Sequence, residues 1–320
     1  MNILDSKFKI KDLFPLLKET AIKWNSDNPF RLGAVVAYYA VLSLPGLMVL
    51  LINMVGFIWG KEIVAGQLTN EIASAIGTDA ATAIQSMVSE TQGENKTLIS
   101  SIIGIATLVF GATGVFYQLQ LSLNEIFEIK IDPDAGVLKV VTDRARGFGF
   151  ILVIGFLLLT SFVVSAGINI LSDYIVRLFP DVFLYLAYAL NLVLSLSIIA
   201  ILFSLIFKYL PDIRTSWKTV LPGAIITSIL FVLGKELLGF YFGKADPASA
   251  YGAAGSIVLI LLWVSYSCLI LFFGAEFTWV YAKKYSRQVV PNKNAIQYKE
   301  KEVVVSKGCD IPDEDCEEEK

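Results

Sequence analysis

The sequence predicts an all-α, polytopic membrane protein with six transmembrane helices and cytoplasmic N and C termini. Three observations predict it. The composition is 55% hydrophobic and 17% charged, with a mean hydropathy of +0.65, whereas soluble domains are about a quarter charged. Six apolar runs reach or approach the roughly 20 residues that cross a bilayer; they cover 32–60, 98–118, 147–171, 182–207, 219–242 and 252–282. Lysine and arginine segregate, with 21 in the N-terminal segment, the second and fourth connections and the tail, and four in the odd-numbered connections. Basic residues stay on the cytoplasmic side, so the termini face inward.

The first 31 residues set Phe8, Leu13, Leu16 and Leu17 among lysines, the pattern of an amphipathic helix on the cytoplasmic surface. No cleavable leader is expected, because the first long apolar run begins only at Leu32 and exceeds the length of a leader core. Span one contains "AYYAVLSLPGL". Pro45 removes one helical hydrogen bond and crowds the Val41 carbonyl. A kink lined by Tyr38, Tyr39 and Ser43 would open a cavity; a plain packing kink is the blander reading. The connection 61–97 reads as two short helices broken at Gly77, with Thr78 and Asp79 as caps for the second. In span two, Gly111 and Gly114 permit close helix approach. Gln118, Gln120, Asn124 and Glu125 fall about 30 Å along the axis from Leu98, at the cytoplasmic interface. They form either an ordinary helix end or a polar vestibule at an inner gate. The two halves of the chain show no convincing repeat.

Span five qualifies only if Lys235 and Glu236 are tolerated within it. Neighbouring residues project about 100° apart on a helix, so these two do not pair. Lys235 shares a face with Ser228 and Gly239 in the external half. Span six carries Glu276 about 10 Å inside its cytoplasmic end. A carboxylate there needs water or a partner, and Arg31 or a basic loop residue is the expected one. Lys235 and Glu276 differ in depth by about 15 Å and are not expected to meet. Residues 32–285 thus form the membrane domain, and 286–320 a charged, disordered cytoplasmic tail ending "DIPDEDCEEEK".

Several functions are excluded by composition. The chain contains no histidine, which removes the commonest general base and metal ligand. Cys268, Cys309 and Cys316 match no metal spacing. No catalytic residues, metal or cofactor are expected, and the chain is not expected to be an enzyme. A pI near 5.2 argues against nucleic acid as a partner. The expected partners are the lipid bilayer and a small solute, with a second copy of the chain left open.

The stretches "RLGAVVAYYAVLSLPGL", "FGATGVFYQLQLSLNEIF", "KYLPDIRTSWKTVLPGA" and "LGKELLGFYF…YGAAGSIVLILLWVSYSCLILFFGAEFTWVYA" resemble the YihY/BrkB family of bacterial inner-membrane proteins over residues 20–285. The resemblance implies six membrane helices and a multi-pass place in the bacterial plasma membrane. It implies no defined activity; members have been called virulence or serum-resistance factors, and many carry the label ribonuclease BN. A metal-dependent nuclease needs ligand clusters and a basic groove, and this sequence offers neither. Two functions are weighed. One is a small-solute transporter or permease using Lys235, Glu236, Glu276, Tyr38, Tyr39, Ser43, Pro45, Gln118 and Asn124 as its pathway. The other is a non-transporting scaffold that affects the envelope. The transport reading expects Lys235→Leu to fold and insert but to lose activity.

Overall fold

A computed structural model describes residues 10–91, 98–133, 136, 139, 141–157, 180–245, 251, 254–285 and 289–298. Helix α1 (Leu13–Ser26) leads into α2 (Pro29–Trp59) across Asn28, whose φ of 50° is left-handed. Pro29 opens α2, where its missing N–H costs no helical bond. Helices α3 (Lys61–Ile76) and α4 (Thr78–Thr91) follow. They break at Gly77, whose φ of 98° suits a residue without a side chain. Thr78 is the first residue of α4 rather than its cap. Helices α5 (Leu98–Ile126), α6 (141–157), α7 (Pro180–Tyr209), α8 (Trp217–Ala245) and α9 (Gly255–Lys284) follow among the described residues.

Three helices among the described residues are long and apolar enough to cross a membrane, at Pro29–Phe57, Trp217–Phe242 and Gly255–Lys284. The expected span at 147–171 lies partly outside the described residues. Helix α2 continues through Pro45.

Helix α2 packs against α5 and α9, and α8 packs against α7 and α9. The α8–α9 crossing is made by small residues. A methyl on Gly274 would collide with Thr227 Oγ1, and one on Gly223 with Thr278 Oγ1. Each threonine hydroxyl donates to a carbonyl of its own helix, Thr227 to Gly223 at 2.7 Å and Thr278 to Gly274 at 2.9 Å. These internal bonds consume the hydroxyls and leave a flat surface for close approach.

Short strands fasten one end of the bundle. β1 (Ile129–Ile131) pairs antiparallel with β4 (Ala295–Gln297), and β2 (Ile213–Arg214) with β3 (Val290–Pro291). The tail expected to be disordered from 286 therefore supplies two strands. Its residues 289–298 are ordered by backbone pairing that isolated polarity does not reveal; 299–320 lie outside the described residues. The strands show that α5, α7 and α9 finish at one end. Arg31, at the start of α2, pairs with Glu125 near the end of α5, so α2 begins there too. The largest fully buried side chains, including Phe127, Phe207, Phe272 and Phe277, cluster at the same end.

Helix α1 does more than cover a surface. Leu16 is buried against Phe277, Val280 and Tyr281 of α9. Trp24 Nε1 donates to the Leu269 carbonyl at 3.2 Å, and Tyr285 donates to Asp12 at 2.8 Å. The helix thus runs antiparallel along the last turns of α9, and Phe8 lies outside the described residues.

Candidate functional site

Three polar groupings occur among the described residues. The first joins α5, α6 and the α7–α8 turn. Asp212 is fully buried. Lys139 Nζ lies 2.9 Å from both of its carboxylate oxygens and 2.6 Å from Asp143. Arg146 reaches Asp212 at 2.6 Å. Gln120 donates to Asp212 at 2.9 Å and to Asp143 at 3.1 Å. Asn124 holds Asp212 twice, donating to its carboxylate at 3.0 Å and accepting its backbone N–H at 2.7 Å. Burial works against a charged Asp212, but the bonds from Lys139, Arg146 and Asn124 outweigh it and hold its pKa below the usual carboxylate range. Two cations face two carboxylates, so the group is neutral as a unit and acts as a clasp.

The second grouping is short of positive charge. Glu276 is fully buried on α9, with the Lys23 ammonium 3.3 Å from Oε2. Lys23 is also 2.6 Å from Asp27 and 4.0 Å from Glu128. Neither oxygen of Glu276 accepts a well-aligned hydrogen bond among the described residues. Of the expected partners, Arg31 goes to Glu125, and the basic residue that reaches Glu276 is Lys23, delivered by α1 beside α9. Burial weighs against the Lys23 charge, yet Glu276 and Asp27 more than offset it and raise its pKa. Asp27 is held low despite burial by the neighbouring Glu276 carboxyl and by the hydrogen bond it accepts from Lys23.

The third grouping surrounds Gly114 of α5. A side chain there would meet Ser43 Oγ at 3.2 Å, Tyr39 at 3.8 Å and Arg144 Nη1 at 3.9 Å. Ser43 and Tyr39 sit one turn apart on α2, so both present to the same neighbour. Arg144 comes from α6, which approaches α5 closely because Gly147 lies against Thr113 and Phe116. Its guanidinium is 4.0 Å from the Phe110 ring centroid and 5.0 Å from that of Tyr117. Nη1 makes two long contacts, to the Phe110 carbonyl at 3.3 Å and Thr113 Oγ1 at 3.4 Å. Nε is buried without an acceptor, and no carboxylate pairs with Arg144 among the described residues. Gly114 lies eleven residues before Glu125, about 16 Å along the helix.

The sequence-derived candidates separate among these places. Asn124 joins the clasp and Glu276 the second grouping. Tyr39 and Ser43 join Arg144, and Tyr38 packs edge-on against Tyr39 at 5.5 Å on the outer side. Pro45 and Gln118 are half-buried. Lys235 and Glu236 are both exposed on α8 and meet none of the three groupings. Lys139, Asp143, Arg144, Arg146 and Asp212 are absent from that set of candidates. Four of them precede the apolar run that begins at 147, and were counted as connection. Helix α6 already runs from 141, which carries Arg144 alongside α5. No group of three potential metal ligands occurs among the described residues.

The profile of a family described as Virulence factor BrkB matches residues 21–297. The ribonuclease-like protein YfkH of Bacillus subtilis (strain 168) is 21% identical over 280 residues, covering 87% of this chain and 98% of the relative. A UPF0761 membrane protein of Verminephrobacter eiseniae (strain EF01-2) is 25% identical over 55% of this chain and 40% of its own length. One from Methylibium petroleiphilum is 26% identical over 65% of this chain and 48% of its own. The chain thus spans nearly all of the first relative and less than half of the other two. No solved structure matches.

Proposed function

We propose that this chain, which belongs to the BrkB family of membrane proteins, is a small-solute transporter or permease of the bacterial inner membrane. In this reading six spans cross the bilayer, with 32–285 as the membrane domain and both termini in the cytoplasm. The end bearing the clasp, the strands and most of the cations is the cytoplasmic one, as the basic-residue bias requires. The chain acts without enzymatic chemistry, cofactor or metal.

A single observation carries the proposal. Arg144 lies about 16 Å deeper than the Arg31–Glu125 pair and has no carboxylate partner among the described residues. A cation at bilayer depth is costly, faces a protein interior or water, and marks a substrate or ion path. Around it stand hydroxyl and aromatic groups from α2 and α5. The clasp just below, built on Asp212, supplies an inner seal that must open for passage.

One observation favours a second reading. Lys235 and Glu236 are exposed on α8, as they would be if that face met a protein partner in a non-transporting scaffold. Reconstitution separates the two. Proteoliposomes carrying the protein are loaded with a mixed pool of small solutes and the efflux profile is compared with empty vesicles. Transport predicts selective loss of at least one solute, abolished by Arg144→Gln. Identical profiles would leave the scaffold.

A further inference from the structure

Resting on the transport reading, we propose that the Arg144 site selects an oxyanion, a carboxylate or phosphate group carried by the solute. The guanidinium is divided in its use. Nη1 turns toward the Phe110 carbonyl and Thr113 hydroxyl, both at the long end of hydrogen bonding. Nε, on the other edge, donates to nothing among the described residues. That edge is a two-point donor whose geometry matches a planar carboxylate or two phosphate oxygens. The rings of Phe110 and Tyr117 hold the guanidinium plane, so the edge is aimed before a ligand arrives.

The surroundings fit an anion and fit nothing cationic. The carboxylates of the clasp, Asp143 and Asp212, are already taken by Lys139 and Arg146. Ser43, with 2% of its surface exposed, offers a hydroxyl across Gly114. Gly114 holds both groups close, since a Cβ there would lie 3.2 Å from Ser43 Oγ and 3.9 Å from Arg144 Nη1. Glu276 cannot serve as the counter-charge, since it is committed to Lys23 on α9. An entering oxyanion would replace the weak Nη1 contacts and neutralise the one guanidinium here that lacks a carboxylate among the described residues.

An oxyanion could also reach this site as a phospholipid headgroup, and the test separates the two sources. Purified full-length protein in lipid-free detergent is titrated with inorganic phosphate, acetate, glycerol and tetramethylammonium, and separately with an anionic phospholipid. Binding is read by intrinsic fluorescence and by the shift in thermal midpoint. The expected result is saturable binding of phosphate or acetate, with neither glycerol nor tetramethylammonium binding. Arg144→Gln should weaken it about thirtyfold or more. Arg144→Lys, which keeps the charge and loses the fork, should fall between the two. Gly114→Ala narrows the approach and should weaken binding while leaving Arg144 in place. Unligated melting of each variant shows that it is folded. Phospholipid binding that needs Arg144, without phosphate or acetate binding, upholds the oxyanion chemistry and overturns the small solute. Oxyanion binding without flux in vesicles overturns the transport reading and leaves the site. Flux indifferent to Arg144→Gln overturns the site and leaves transport. Binding of no oxyanion, or binding unaltered in Arg144→Gln, overturns the inference outright.

Discussion

Asp212→Ala should cost more stability than any other single change at the clasp. The carboxylate accepts from Lys139, Arg146, Gln120 and Asn124, with every distance between 2.6 and 3.0 Å. Removing it leaves two cations beside one carboxylate, Asp143, in a buried setting. Breaking a buried ion pair from one side costs about 3–5 kcal/mol, because a charge stays behind uncompensated. Lys139 keeps Asp143 at 2.6 Å, and the side chain of Arg146 is 31% exposed. Neither is wholly stranded, so the lower bound of about 3 kcal/mol applies. Lys139→Met combined with Asp212→Ala restores a one-to-one balance. It should recover about 1–2 kcal/mol of the loss, a coupling of the size seen for neighbours in one network. The assay is reversible unfolding in mixed micelles by titration with a denaturing detergent, followed by tryptophan fluorescence. A loss below about 1 kcal/mol for Asp212→Ala, or additivity in the double variant, would refute the buried-clasp reasoning.

Three other outcomes follow from the packing and charges. Gly274→Ala drives a methyl into Thr227 and should destabilise by about 1–3 kcal/mol; Thr227→Ala added to it should recover part of the loss in the same titration. Leu16→Ala, at a site with no exposed surface, should cost about 2–5 kcal/mol and increase protease cutting near α1; resistance equal to the parent would mean that α1 is not docked on α9. The pH response has a definite sign. Asp27 and Asp212 sit below the ordinary value of 3.8, so their stabilisation is complete above that value and lost as pH falls through their lower folded values. Lys23 sits above 10.5, so its contribution is complete below that value and lost as pH rises through its higher folded value. Micelle stability attributable to these groups should therefore be flat through neutral pH and decline at both extremes; a drop between about pH 5 and 8 that Asp212→Asn removes would contradict this.

The long helices were legible because apolar length alone identifies them. Gly77 was legible as a break, and Gly114 as a place of close approach, because small residues carry a steric meaning. What surrounds them was not. Arg144 was hidden by its position just before an apolar run, where lysines and arginines ordinarily mark a cytoplasmic connection. Only the start of α6 at 141 shows that its side chain climbs along α5. Asp212 lies in "KYLPDIRTSW", which stood out as a motif without indicating its partners. Those partners come from residues up to 92 positions away, a separation no local pattern encodes. Lys235 and Glu236 drew notice because charges in apolar runs are rare. Their exposed placement shows that rarity along the chain does not fix which way a side chain faces. The tail strands were missed for the same reason as the clasp, since backbone pairing with β1 and β2 depends on distant segments.

The central claim is that water and solute reach the Tyr39–Ser43–Arg144 site when the bundle moves. Ser43→Cys tests it in a background with Cys309 and Cys316 changed to serine, where Cys268 remains buried. The variant is reconstituted and treated with a charged, membrane-impermeant thiol reagent on either side. The account predicts labelling of Cys at 43 at a measurable rate, slowed when phosphate or acetate is present and unchanged by glycerol. A folded variant that stays unlabelled from both sides, while a cysteine placed at Lys130 reacts normally, would contradict it.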